Sequence, residues 1–319
     1  MGFVQGSNAL AAGKIKLGST DIDKIYFGST EAWPATAPTG YLYLQPNGVT
    51  ISAYPSAVTG QSYSFLGQTY TVVDNAGLTA AKTNGDDLSL VVTTRVTNIQ
   101  ISGYDAIFND NIGSWDVSNV TNMNGLFNSL VAFNQDISYW DVSNVTFMEN
   151  TFLNAYAFNQ PLNSWDVSNV TSFGNMFLNA RAFNQPLNSW DITAANNIIS
   201  MFAGAYAFNQ NINVWNTLSI TSMANMFNNA QSFNQPLNSW NVSNVTDMSG
   251  MLRLSPFNQD ISMWDVGNVS SMNYMFENNT AFNKDLSGWC VLLIPSAPTN
   301  FSNGASSWVL PKPVWGTCP

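Results

Sequence analysis

The sequence predicts an α/β repeat solenoid of about eight 25-residue repeats, with a parallel sheet on one face. Three observations predict it. Tryptophans recur at Trp115, Trp140, Trp165, Trp190, Trp215, Trp240, Trp264 and Trp289, at intervals of 25 residues apart from a single 24. A fixed period of this size marks one supersecondary unit stacked on copies of itself. Inside each unit two apolar periods alternate. Trp165 and Val167 alternate as in a strand, whereas Ile220, Met223, Met226, Phe227 and Ala230 follow helical spacing. Finally, an asparagine follows the recurring phenylalanine of each unit (Asn134, Asn159, Asn184, Asn209, Asn234, Asn258, Asn283), as expected of a hydrogen-bonded turn ladder.

The chain divides into 1–34, an attachment segment; 35–104, a β-rich cap; 105–289, the solenoid; and 290–319, a C-terminal cap. In the first segment, Ile15 to Thr20 is echoed by Ile25 to Thr30, each a β-prone run ending in Gly-Ser, which reads as a hairpin or two edge strands. Met1 to Ala12 has neither a basic n-region nor an apolar h-region, so no secretory signal is expected. Ala35 to Thr39 reads as a linker.

In the cap, strands are expected over Tyr41–Leu44, Gln68–Val73 and Leu88–Thr94, with a helical turn over Leu78–Lys82. A solenoid end exposes its core, and this segment is placed to cover it. Within each unit, Thr171 or Thr221 is a candidate helix N-cap. Ala155, Ala180, Ala205 and Ala230 allow close packing, and Pro161, Pro186 and Pro236 fall just before the expected strand, where a missing N–H is tolerated.

The net charge is −10 and sits in the array. Residues 105–289 hold thirteen Asp or Glu against Arg181, Arg253 and Lys284, and thirteen minus three gives the whole excess. An acidic array repels phosphate, so nucleic acid is not an expected partner. No apolar run approaches membrane-spanning length, so no membrane insertion is expected. The chain has no histidine, which removes His-based triads and metal sites. No Walker or dinucleotide motif is present. Every Asp that can be placed recurs with the repeat, so no carboxylate pair stands apart as catalytic. No enzyme and no resident cofactor are expected. The two cysteines, Cys290 and Cys318, are compatible with free thiols in a reducing cell. The short Pro- and Ser-rich tail that they bracket favours a disulfide.

With Trp and the next-but-one residue inward, the residues one before, one after and three after each Trp point outward. That phase nominates a binding face. Asp116, Asp141, Asp166 and Asp191 form an acidic row, a candidate for calcium, a sugar or a cationic surface, or else an Asx ladder that completes turn backbones. Tyr139, Val214, Leu218 and Met263 replace serine on this face, and exposed apolar groups there mark a candidate ligand patch. Units are irregular at Asp191–Ile198, at Trp215–Ser219 and at a one-residue deletion near Met251–Pro256.

The repeat, with Trp165 in the second position of a Leu-x-x-Leu-x-Leu strand and Met-Phe-x-x-Ala after it, resembles the BspA-type leucine-rich repeat over about 96–289. NGVTI, TYTVVD and NGDDL resemble the module that precedes such arrays, and the terminal VWGTC resembles their ending. The resemblance implies a right-handed leucine-rich-repeat solenoid in a surface-displayed binding protein. KIYFGSTEAWP resembles N-terminal segments of phage tail and virion-surface proteins. It implies attachment to other virion proteins through 1–34 and a virion-surface location reached after lysis; a homo-oligomer is also expected. The solenoid would then meet a host cell-surface protein or glycan. A structural decoration protein packed on other virion subunits and a bacterial adhesin are the alternatives.

Overall fold

The computed structural model describes residues 40–99 and 106–319, and the backbone of four short strands between 15 and 34. β1 (Ile15–Leu17) pairs antiparallel with β2 (Thr20–Ile22), and β3 (Lys24–Phe27) with β4 (Thr30–Pro34). Of residues 1–34, only these strands are described, and the expected linker at Ala35 to Thr39 lies outside the described residues.

The cap begins with β5 (Leu42–Leu44) and β6 (Ile51–Ala53), an antiparallel pair. β7 (Ser62–Phe65) pairs antiparallel with β8 (Gln68–Val72). The expected helical turn is longer than the sequence suggests: α1 spans Asn75–Asn84. Its start is fixed by Asp74, whose carboxylate accepts from the Gly77 amide at 2.9 Å. Its end is fixed by Gly85, which adopts the left-handed backbone (φ 74°) that a side chain would penalise. A 3-10 turn at Leu88–Leu90 leads into β9 (Val91–Val92), parallel to β8.

The cap supplies what a preceding repeat would supply. In the array each tryptophan indole N–H donates to a backbone carbonyl one unit back, as Trp140 does to Ile112 at 3.1 Å and Trp165 to Ile137 at 3.1 Å. Trp115 has no unit before it and donates to Leu88 of the cap at 2.9 Å. The Ile51 amide donates to the Ser114 carbonyl at 2.9 Å.

From Asn98 onward the described units lie in parallel register. Bridges link Asn98, Asn122, Phe147, Ser172 and Asn197 in one series, and Ser222, Asp247 and Ser271 in another. Among the described residues the series is broken between Asn197 and Ser222, where the consensus also breaks. The pairing therefore sits seven residues after each tryptophan. At the tryptophan itself, where the sequence suggested the strand, the chain turns: the Trp140 amide donates to Ile137 at 3.1 Å and that of Val145 to Val142 at 2.9 Å. The inward phase of Trp and Val holds all the same, since both columns are buried.

The helix expected over Ile220–Ala230 is a chain of turns. Alternate amides donate forward to the next unit: Met123 to Phe147 (2.9 Å), Gly125 to Glu149 (2.8 Å), Phe127 to Thr151 (2.8 Å) and Ser129 to Leu153 (2.7 Å). The amides between them close turns three residues back, as Leu126 does on Met123 at 3.1 Å and Asn128 on Gly125 at 3.1 Å. Thr171, a candidate N-cap, instead donates its amide to Thr146 of the unit before at 2.9 Å. Each turn needs a left-handed residue, and two columns provide it. Gly125, Asn150, Asn175, Ser200, Asn225 and Gly250 form one, and Ser129, Asn154, Asn179, Gly204 and Asn229 the other, all at positive φ. Asparagine and glycine enter this region at least cost.

The array shares one continuous core cluster from Val73 to Trp308, and the cap has a second, smaller one of Leu42, Ile51, Ala53, Ala57, Val72 and Val92. Aromatic columns run along the first. Phe133, Phe158, Phe183, Phe208 and Phe233 stack with centroids 5.9 to 6.1 Å apart. Trp140 and Trp165 stack at 6.4 Å.

The deletion is absorbed between Ser255 and Phe257, where Pro256 stands in place of two residues. Asn279 occupies the column that holds Ala155 and Ala180 elsewhere, and it is fully buried. Its Nδ2 donates to the Phe257 carbonyl at 3.1 Å, and its Oδ1 accepts from the Ala281 and Phe282 amides at 3.1 and 3.0 Å. It thereby satisfies backbone groups that the shortened loop leaves open. At the C-terminal end Cys290 and Cys318 form a disulfide across a separation of 28 residues.

Candidate functional site

The outward tryptophan edge is built by the turns around each Trp. The residue after Trp accepts with its side-chain Oδ1 from the amide two residues on. Asp141 accepts from the Ser143 amide (3.1 Å) and hydroxyl (2.6 Å), and Asp166 from those of Ser168 at 3.1 and 2.6 Å. Asp191 accepts from the Thr193 amide at 2.9 Å. The Thr193 hydroxyl and amide hold the Asp191 carboxyl below the usual range, by hydrogen-bonding its charged form. The acidic row is thus an Asx-turn row. Among the described residues, no three carboxylate or thiol side chains come together to hold a metal ion.

Asp116 departs from the expected face. It is 3% exposed, because the cap closes over it. The Ser52 hydroxyl donates to its Oδ2 at 2.7 Å, and the Thr93 hydroxyl donates to its carbonyl at 2.9 Å. Its role is to join cap and array.

The four serine replacements do lie in solvent: Tyr139 is 50% exposed, Val214 68%, Leu218 47% and Met263 89%. They do not form one patch. Ser164 and Ser189 separate Tyr139 from Val214 along the column. Val214 and Leu218 flank the same tryptophan, Trp215, and Met263 stands two units further on. Met263 is a ridge between two hollows. One, of about 320 Å³, is lined by Pro236, Asn238, Gln259, Asp260 and Ile261 as well as Met263 and Trp264. The other, of about 530 Å³, is lined by Ser262, Asp285, Ser287 and Gly288 beside the same two residues. Asp260 and Asp285 both have carboxyls held below the usual range, chiefly by hydrogen bonds from Ser262 and from Ser287. The ridge is apolar and its flanks are anionic.

The asparagine ladder is continuous. The amide of each unit's Asn donates to the side-chain Oδ1 of the Asn one unit back, from Asn134 on Asn109 (2.9 Å) to Asn283 on Asn258 (2.9 Å). The ladder ends on the Val309 and Leu310 amides, which donate to Asn283.

One group escaped the sequence reading. Tyr156, Arg181 and Tyr206 occupy one position in three successive units, and the Arg181 guanidinium lies 4.2 Å from the Tyr156 ring centre and 5.4 Å from that of Tyr206. The signal was a column that elsewhere holds Ala106, Val131, Gln231 and Thr280.

Comparison with known proteins bears on these repeats. A family model described as "Mycoplasma protein of unknown function, DUF285" matches residues 94–215 and 200–308. The chain belongs to this family. The match covers the whole stack of units that carries the DUF285 repeat and is consistent with a BspA-type surface repeat. Residues before 94 fall outside it. No curated protein and no solved structure matches the DUF285 chain. Among the described residues, no helix is long and apolar enough to cross a membrane.

Proposed function

We propose that the chain is a non-enzymatic recognition protein of a phage virion surface, a leucine-rich-repeat array that meets a host-surface protein or glycan through its outward tryptophan edge. The virion placement rests on the resemblance of residues 24–34, and one observation carries the edge as the contact surface. On that edge the consensus polar side chains are engaged in hydrogen-bonded turns, while the breaks in consensus leave Val214, Leu218 and Met263 in solvent. Apolar groups exposed beside charged rims favour contact with another molecule. With Asp260 and Asp285 beside Met263, the favoured partner surface is apolar at its centre and basic around it.

The test is binding of the full chain to intact candidate host cells, compared with a Val214→Ser, Leu218→Ser, Met263→Ser variant. Saturable binding that the triple variant loses supports the edge. Equal binding by both proteins refutes this edge as the contact. Absence from purified particles refutes the virion location.

A further inference from the structure

Arg181 is singled out by charge. Of the three bases in the array, Arg253 donates to Glu277 at 2.5 Å, and Lys284 lies close enough to help hold Asp260 ionised. Among the described residues, Arg181 makes no ion pair, and its guanidinium donates to no protein group. It is exposed, on a chain of net charge −10. Its guanidinium carbon lies over tyrosine rings of the units on either side. Cation–π contact on both sides restrains the group, while its N–H fork has no protein acceptor. The Tyr156 and Tyr206 hydroxyls also have no hydrogen-bond partner among the described residues. Four residues on in the same three units, Gln160, Gln185 and Gln210 commit their Nε2 groups to the Asn134, Asn159 and Asn184 carbonyls. Their Oε1 acceptors stay unpartnered among the described residues.

We propose that Tyr156, Arg181 and Tyr206 form a binding site for a sugar bearing a single carboxylate, of the uronic or sialic acid class. The fork matches a carboxylate through two parallel hydrogen bonds. The tyrosine hydroxyls and glutamine oxygens match sugar hydroxyls, and the tyrosine rings offer amphipathic surface with little rotamer entropy to lose. A densely charged polyanion is disfavoured, because the rest of the array repels it. The inference goes beyond the tryptophan-edge reading and uses none of the residues tested there.

The full chain is titrated with methyl glucuronide and with N-acetylneuraminic acid, using methyl glucoside and acetate as controls, by calorimetry or ligand-observed NMR. One or both acidic sugars are expected to bind saturably and the controls not. Arg181→Gln and Arg181→Lys should each weaken binding about tenfold or more, since neither keeps the fork. The melting temperature of Arg181→Gln should stay near that of the parent. Binding of neither acidic sugar, acetate binding as well as they do, or equal affinity in Arg181→Gln overturns the site. Unfolding of Arg181→Gln also overturns it, by making the arginine a structural pillar.

Discussion

Replacing Gly204 by alanine separates a turn chain from a helix by the sign of the effect. In a helix interior, alanine is favoured over glycine by about 0.8–1 kcal/mol. Gly204, however, has φ +66°, and a Cβ built there lies 2.2 Å from Asn179 Oδ1. The left-handed backbone costs alanine about 1–2 kcal/mol. Moving Asn179 threatens its own bond, in which its Nδ2 donates to Asn154 Oδ1 at 2.9 Å, a loss of about 1 kcal/mol. The alanine regains about 0.4–1 kcal/mol by restricting the unfolded chain. The net expectation is destabilisation by roughly 1–3 kcal/mol, a fall of about 0.3–1.5 M in the urea midpoint for a slope near 2–3 kcal/mol/M. Tryptophan fluorescence is the readout. Gly204→Asn is the control. Asparagine tolerates the left-handed region, and here it can extend the Asn154–Asn179 ladder, so it should cost less than alanine. A rise in the midpoint with alanine, or an equal fall with both, would refute the reasoning.

Asn279→Ala restores the residue used at this position in other units, yet it should destabilise by about 2–3 kcal/mol by stranding the buried Phe257 carbonyl and the Ala281 and Phe282 amides; a neutral result in the same urea titration would contradict this. Reducing the Cys290–Cys318 disulfide should lower the stability of the C-terminal cap by about 3–4 kcal/mol on the chain-entropy account, read as earlier hydrogen exchange in 290–319. The lowered carboxyl pKa values of Asp191 and Asp260 mean that the folded state holds these protons less tightly than the unfolded one. Their contribution is present above the ordinary carboxylate range and is lost as pH falls through the folded values, below about pH 4. Thr193→Val removes the leading cause at Asp191 and should shrink that acid-side loss, visible in melts at neutral and acid pH; an unchanged acid profile counts against it.

The tryptophan period, the inward Trp and Val phase and the asparagine ladder could all be read from residue type and spacing. The turn chain could not be read from apolar spacing, because Met223, Met226, Phe227 and Ala230 satisfy a helix and a four-residue turn cycle equally well. The distinguishing signal was polar. Asn150 and Asn154, Asn175 and Asn179, and Asn225 and Asn229 repeat at intervals of four, and asparagine belongs to left-handed turns before helix interiors. Leu254 and Tyr274, at φ 55° and 62°, each interrupt one of the two columns near the deletion. The burial of Asp116 was invisible for another reason: its partner Ser52 is 64 residues away, and no local pattern reports a contact across that distance. The Tyr156–Arg181–Tyr206 group was masked by the opposite problem, since each residue looks like an ordinary variant until the three are aligned by unit.

The asparagine ladder has a consequence for how such a chain changes over generations. Each rung is the same bond between one unit and the next, so the wiring takes no notice of how many units it joins. A duplicated or excised cassette of 25 codons would reconnect the same rungs on both sides, provided that the cap at Leu88 and the closing amides of Val309 and Leu310 stay at the ends. Length then becomes a trait that recombination can adjust in whole steps. The outward positions take no part in the rungs, so each inserted cassette can bring a new surface without renegotiating the interior.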